Sequence, residues 1–147
     1  MSRKEIINKI IDEQRKIIEN LENSVDRYKT NSDMDENDTS DPDDFARQTE
    51  AKDMQLRFEK MLTKEKKDLA FLLSEVDKTH DSAEPGALIE TDKNFFFVCV
   101  PIPVFRHNGK DVFSISPEAP VYSKLRGKKI GDQIEVGPNT FQIESIS

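Results

Sequence analysis

Apolar side chains in the first fifth of the chain recur at Ile7, Ile11, Gln14, Ile18, Leu21, Val25 and Tyr28, in steps of four and three. That spacing is a heptad seam with one polar interruption, Gln14, and it predicts a long helix packed along one stripe. Charged residues flank the stripe (Lys9, Asp12, Arg15, Lys16, Glu19, Glu22), as a solvated face requires. Ser2 with Glu5 three residues later reads as a capping box, which starts this helix almost at residue 1. Thr30-Asn31-Ser32 ends the pattern. A second stripe follows: Ala51, Met54, Phe58, Leu62, Leu69, Leu72 and Val76. Its spacing slips near Phe58–Leu62, and Glu65 occupies one seam position. Two such helices joined by about ten residues predict an antiparallel coiled-coil hairpin over residues 1–76. At 1.5 Å per residue the arms would run roughly 40 and 48 Å. A dimerisation element is the plainer reading of the same pattern.

Between the stripes lies Asp33 to Ala46, D-M-D-E-N-D-T-S-D-P-D-D-F-A, with its acidic tip near 31–46. Seven of its first twelve residues are acids: Asp33, Asp35, Glu36, Asp38, Asp41, Asp43 and Asp44. The chain has 29 acids and 22 bases, so removing these seven leaves 22 against 22. The entire net charge of −7 therefore belongs to one short segment. Pro42 suits the first position of a helix, Asp41 its N-cap, and Asp43 and Asp44 the first turn beside the positive end of the dipole. Helix-start chemistry accounts for those residues taken alone. The acids from Asp33 to Asp38 exceed what a cap needs.

The chain is 147 residues, 35% apolar and 35% charged, which suits a solvated hairpin plus a small core-bearing domain. Its acidity argues against a broad phosphate-neutralising surface and against direct sequence-specific nucleic-acid binding. A concentrated acidic field instead suits a basic partner or a site that holds metal ions. With Cys99 as the single cysteine, neither a disulfide framework nor a cysteine-based zinc site is available; it reads as a small buried residue. The first residues lack an apolar secretory core, and Phe95–Phe105 is too short and too proline-broken to span a bilayer, so the expectation is a cytoplasmic, probe-like monomer without membrane contact.

Asp77 to Pro85 is polar and reads as a linker, with His80 an exposed residue lacking a second ligand. After Gly86 the period becomes strand-like. Strands are predicted at Ala87–Glu90, Asn94–Val100, Val112–Ser116, Gln133–Val136 and Thr140–Ile146, with a short helix at Val121–Leu125. Asn108-Gly109 is a hairpin turn signal. The expected fold class is α+β: a helical hairpin followed, over 86–147, by an antiparallel β domain with a short helix. Four bases cluster at Lys124, Arg126, Lys128 and Lys129, either a solvated loop or a contact for an acidic or phosphate partner.

The run Ser116-Pro117-Glu118-Ala119-Pro120, then Leu125-Arg126-Gly127-Lys128-Lys129-Ile130-Gly131-Asp132-Gln133-Ile134-Glu135-Val136, resembles the C-terminal domain of the bacterial Gre transcript-cleavage factors. In that family a similar S-P … L-x-G-K-K-x-G-D-x-[VI]-x-V run occurs in an FKBP-like fold. Gly86-Ala87-Leu88-Ile89-Glu90 resembles its opening strand, and the order of parts matches over nearly the whole chain. The Gre tip motif D-x-S-E-N-A-E-Y is absent. Asp41-Pro42-Asp43-Asp44-Phe45-Ala46 instead resembles the D-x-x-D-x-A tip of the DksA regulators, whose cysteine-based zinc region this chain lacks.

Both resemblances imply a hairpin inserted through the secondary channel of bacterial RNA polymerase, core or holoenzyme. They imply Asp41 and Asp44 near its active centre, with Asp43, Glu36 and Asp38 as secondary candidates. Polymerase contacts are implied for Phe45, Ala46, Ser116, Pro117 and Pro120. No intrinsic cofactor is expected; Asp41 and Asp44 would touch a magnesium ion of the polymerase transiently, as accessory ligands, so the chain is not itself an enzyme. Elongation control through cleavage of backtracked RNA competes with DksA-like control of initiation without cleavage. A generic coiled-coil adaptor is the remaining alternative. Prolyl isomerisation lacks a candidate aromatic pocket, since the chain has no Trp and two Tyr.

Overall fold

The computed structural model describes the backbone of residues 2–33 and 42–147 and the side chains of 2–30 and 46–147. Helix α1 spans Ser2–Asp33 and α2 Pro42–Glu75. Strands β1 (Leu88–Thr91), β2 (Asn94–Val98), β3 (Ile102–His107) and β4 (Lys110–Ile115) follow, then α3 (Pro120–Leu125), β5 (Gln133–Val136) and β6 (Asn139–Ile146). No described helix is long and apolar enough to cross a membrane. The chain forms two compact units, Gln14–Leu69, and Met1–Glu13 with Ala70–Ser147.

In the unit Gln14–Leu69 the two helices run antiparallel, with Gln14 against Glu65 and Tyr28 against Phe58. The seam read from the sequence is the face that packs: Gln14 and Ile18 are buried, and Leu21, Val25, Tyr28, Ala51, Met54, Phe58 and Leu62 half-buried. Its two polar irregularities cancel. Gln14, 1% exposed, donates from Nε2 to the Glu65 carbonyl at 3.0 Å and to Glu65 Oε2 at 2.5 Å. The Gln14 amide nitrogen is thereby paired inside an apolar seam, where an unpaired polar group costs about 1–3 kcal/mol, while its Oε1 is buried without a partner. The Tyr28 and Phe58 rings stack at 5.4 Å between centroids, and Lys66 lies 3.7 Å from Glu22 on the surface.

The other unit is built on one six-stranded sheet, ordered β3-β4-β2-β1-β6-β5. Four of the five pairings are antiparallel, as the strand pattern leads one to expect, while β2 and β4 pair in parallel. The chain manages this by passing from β2 over to edge strand β3 and returning as β4 through a tight turn. That turn has positive φ at both Asn108 (52°) and Gly109 (79°), the backbone that Asn-Gly favours. Strand β2 is buried along its whole length. Phe96 and Val98 join Ala83, Ala87, Ile89, Leu125, Ile134, Phe141, Ile143 and Ile146 in one core, with Val121 and Tyr122 of α3 packed against it.

Alternation turns Phe95 and Phe97 to the opposite face. There the His107 ring meets Phe95 edge-on at 5.8 Å, and His107 Nε2 lies 3.5 Å from Glu5 Oε2. That distance is long for a hydrogen bond but within ion-pair reach if the ring is protonated. It sets the start of α1 beside this face, in keeping with full burial of Ile6, Ile7, Ile10 and Leu72.

Three readings from sequence change here. The polar stretch 77–85 is no loose tether: Ala83 is 2% exposed, its N–H donates to the Lys128 carbonyl at 2.9 Å and its carbonyl accepts from Gly127 at 3.0 Å. Nor is His80 a solvated residue without ligands. Its Nε2 is 2.7 Å from Glu75 Oε2 and its Nδ1 2.6 Å from Glu84 Oε1, with the side chain 12% exposed. Cys99 is half-buried rather than fully buried.

Candidate functional site

The acids that drew attention in the sequence, Glu36, Asp38, Asp41, Asp43 and Asp44, and Phe45 with them, lie outside the residues whose side chains are described. The backbone of α2 begins at Pro42, where the proline has no N–H to lose to the helix. Ala46 is exposed. Among the described residues no group of three or more His, Cys, Asp or Glu side chains comes together in a way that could hold a metal ion.

The second candidate region, Ser116 to Pro120, is a built turn. Ser116 Oγ accepts from the Glu118 N–H at 3.0 Å and hydrogen-bonds the Glu118 carboxylate, while its carbonyl accepts from Ala119 N–H at 3.0 Å. Ala119 is extended (φ −65°, ψ 139°), as the residue before a proline prefers, and Pro120 opens α3. Pro117 and Pro120 are exposed and Ser116 half-buried, so the turn presents two rigid apolar rings to solvent.

The run from Leu125 to Val136 is mostly architecture. Leu125 and Ile134 are core residues. Gly127 (φ 76°) and Gly131 (φ 91°) adopt left-handed backbone that a side chain would strain. Asp132 Oδ2 accepts from the Lys129 N–H at 2.8 Å and closes the turn. Among the side chains that the run leaves in solvent are Arg126, Lys129 and an apolar Ile130, 60% exposed.

Sequence reasoning missed a buried ionic joint where α1 begins and α2 ends. Arg3, 8% exposed, donates from one terminal nitrogen to the carbonyls of Gly86 and Ser147, both at 2.8 Å. The other reaches the Glu75 carbonyl at 2.8 Å and Glu75 Oε2 at 3.2 Å. Burial pulls the Arg3 pKa below the ordinary arginine value, and the Glu75 charge beside it pushes back. Glu75, 3% exposed, also meets His80 and, at 3.7 Å, Lys78. Glycine suits position 86: at φ 92° a side chain is strained, and a Cβ would sit 2.5 Å from the Glu75 carboxyl carbon unless the Glu75 side chain shifted. The signal available in sequence was the polar Arg3 one residue from the helix start and Glu75 one residue before the last seam position. Neither breaks a solvated pattern strongly enough to be noticed.

No protein-family model matches the chain, and no curated protein does. Among solved structures it is similar to the crystal structure of GreA factor homolog 1 (Gfh1) protein of Thermus thermophilus. The two are 16% identical over 98% of this chain and 94% of that one, with a TM-score of 0.35. At that score the likeness carries no argument.

Proposed function

We propose that the protein is a transcription factor of bacterial RNA polymerase, acting through the polymerase's secondary channel. It extends an acidic segment on two paired helices towards the catalytic centre, while its sheet domain holds the outer rim through the turn at Ser116, Pro117 and Pro120. One observation carries this reading: residues 33–44, from the last residue of one 32-residue helix to the first turn of a 34-residue helix, carry seven acids and no base, equal to the chain's whole net charge. At 1.5 Å per residue each helix is about 50 Å long. The sequence resemblances at residues 41–46 and within 86–136 support the same reading.

Asp41 and Asp44 are hard oxygen donors of the kind magnesium accepts one or two at a time, so they fit as accessory ligands to an ion otherwise held by the polymerase. That ion, when bound, supplies charge stabilisation for phosphodiester hydrolysis. Phe45 and Ala46 follow on α2 and would brace the acids against the channel. Asp43, Glu36 and Asp38 are the reserve candidates.

Stalled, backtracked elongation complexes provide the test. Added protein should shorten the transcript, and Asp41→Asn or Asp44→Asn should each abolish shortening while polymerase binding persists. The Asp-Pro-Asp-Asp-Phe-Ala motif favours a second reading, control of initiation complexes without cleavage. Binding with no shortened transcript at any magnesium concentration selects it, and failure to bind polymerase at all leaves a coiled-coil adaptor.

A further inference from the structure

A pocket of about 470 Å³ opens between the segment 82–85 and the end of α3, lined by Ser82, Ala83, Glu84, Pro85, Tyr122, Arg126 and Gly127. This volume falls in the range that small-molecule sites occupy. Its walls are fixed by backbone hydrogen bonds: Ala83 N–H to Lys128 O, Gly127 N–H to Ala83 O, and Arg126 N–H to Tyr122 O at 2.8 Å. Pro85 and the core packing of Ala83 and Tyr122 leave little to reorganise. Of the two acidic or basic side chains on the wall, Glu84 is turned to His80 Nδ1 at 2.6 Å. Arg126 has no ion pair and no side-chain hydrogen bond among the described residues. Half-buried Lys128 and exposed Lys124 add positive charge nearby.

We infer that this pocket binds a small organic anion, a carboxylate or phosphate joined to a flat apolar group, with Arg126 holding the anion and Tyr122 flanking the apolar part. A guanidinium presents paired donors that match such an anion, and a half-buried ring beside an alanine and a proline suits an apolar body. The pocket is lined by none of the residues assigned to polymerase contact, so its test does not depend on the polymerase reading.

The test uses the full-length, ¹⁵N-labelled protein titrated with phenyl phosphate. Amide signals of Ala83, Tyr122 and Gly127 should move together and saturate. Arg126→Gln, at an exposed position, should weaken binding about tenfold or more, the size of one charge-assisted hydrogen bond. Tyr122→Leu should weaken it while the remaining spectrum reports an intact fold. Benzyl alcohol should bind more weakly than phenyl phosphate. Shifts that never saturate, unchanged affinity in Arg126→Gln, or equal saturable shifts with inorganic phosphate alone would each overturn the proposal.

Discussion

Replacing Arg3 by Met probes the joint on which the helix ends and the sheet domain converge. The substitution keeps the apolar stem and removes four interactions: three carbonyl contacts at 2.8 Å and the 3.2 Å ion pair with Glu75. Breaking a buried pair by deleting one partner costs about 3–5 kcal/mol, chiefly because the surviving charge is stranded. His80 and Lys78 still face Glu75, and Ser147 O is only part-buried, so the lower half of that range is expected. About 3 kcal/mol lowers the melting temperature of a domain this size by roughly 6–12 °C. The pair itself is worth less than this, since burial of Arg3 opposes its charge. The double variant Arg3→Met/Glu75→Leu should therefore recover about half or more of the loss. Urea unfolding followed by far-UV circular dichroism is the assay, because a chain without Trp gives little fluorescence. A loss below about 1 kcal/mol in the single variant, or a double variant that merely sums the two singles, would refute the reasoning.

Gly86→Ala should destabilise more than Gly109→Ala in the same urea assay. Both have positive φ, worth about 1–2 kcal/mol, but only at Gly86 does the new Cβ meet the Glu75 carboxylate at 2.5 Å. A double-mutant cycle on Tyr28 and Phe58 should return a coupling of about 0.5–1.5 kcal/mol, the scale of a stacked aromatic pair; a value near zero would break the assigned helix register. Gln14→Ala should cost about 1–3 kcal/mol, and the matched change Gln14→Leu/Glu65→Leu markedly less, since no polar partner is then left behind.

Periodicity made the helices legible and much of their packed face with them, although buried Ile6, Ile10 and Gln55 fall outside the stripes it marks. Gln14 and Glu65 looked like two separate flaws because a one-dimensional pattern does not show that they face each other. The Asn108-Gly109 turn was legible for a local reason, its demand for positive φ at both positions. Strand β3 was not, because Pro103 and exposed Val104 obscure its alternation. The parallel register of β2 and β4 was hidden too, since an apolar run such as Asn94–Val98 is buried on both faces whatever its neighbours' direction. His80 and Ala83 were misjudged for one reason: a polar, proline-ended stretch reads as solvent, yet its few small and titratable residues are the ones the core and Glu75 take up.

Engagement of RNA polymerase through its secondary channel is the proposal on which the functional reading rests. The most direct measurement is retention of the tagged full-length protein on core bacterial RNA polymerase, with and without excess of a known secondary-channel factor. The account predicts retention that the competitor abolishes and that Asp41→Asn and Asp44→Asn leave largely intact. No retention, or retention indifferent to the competitor, would contradict it.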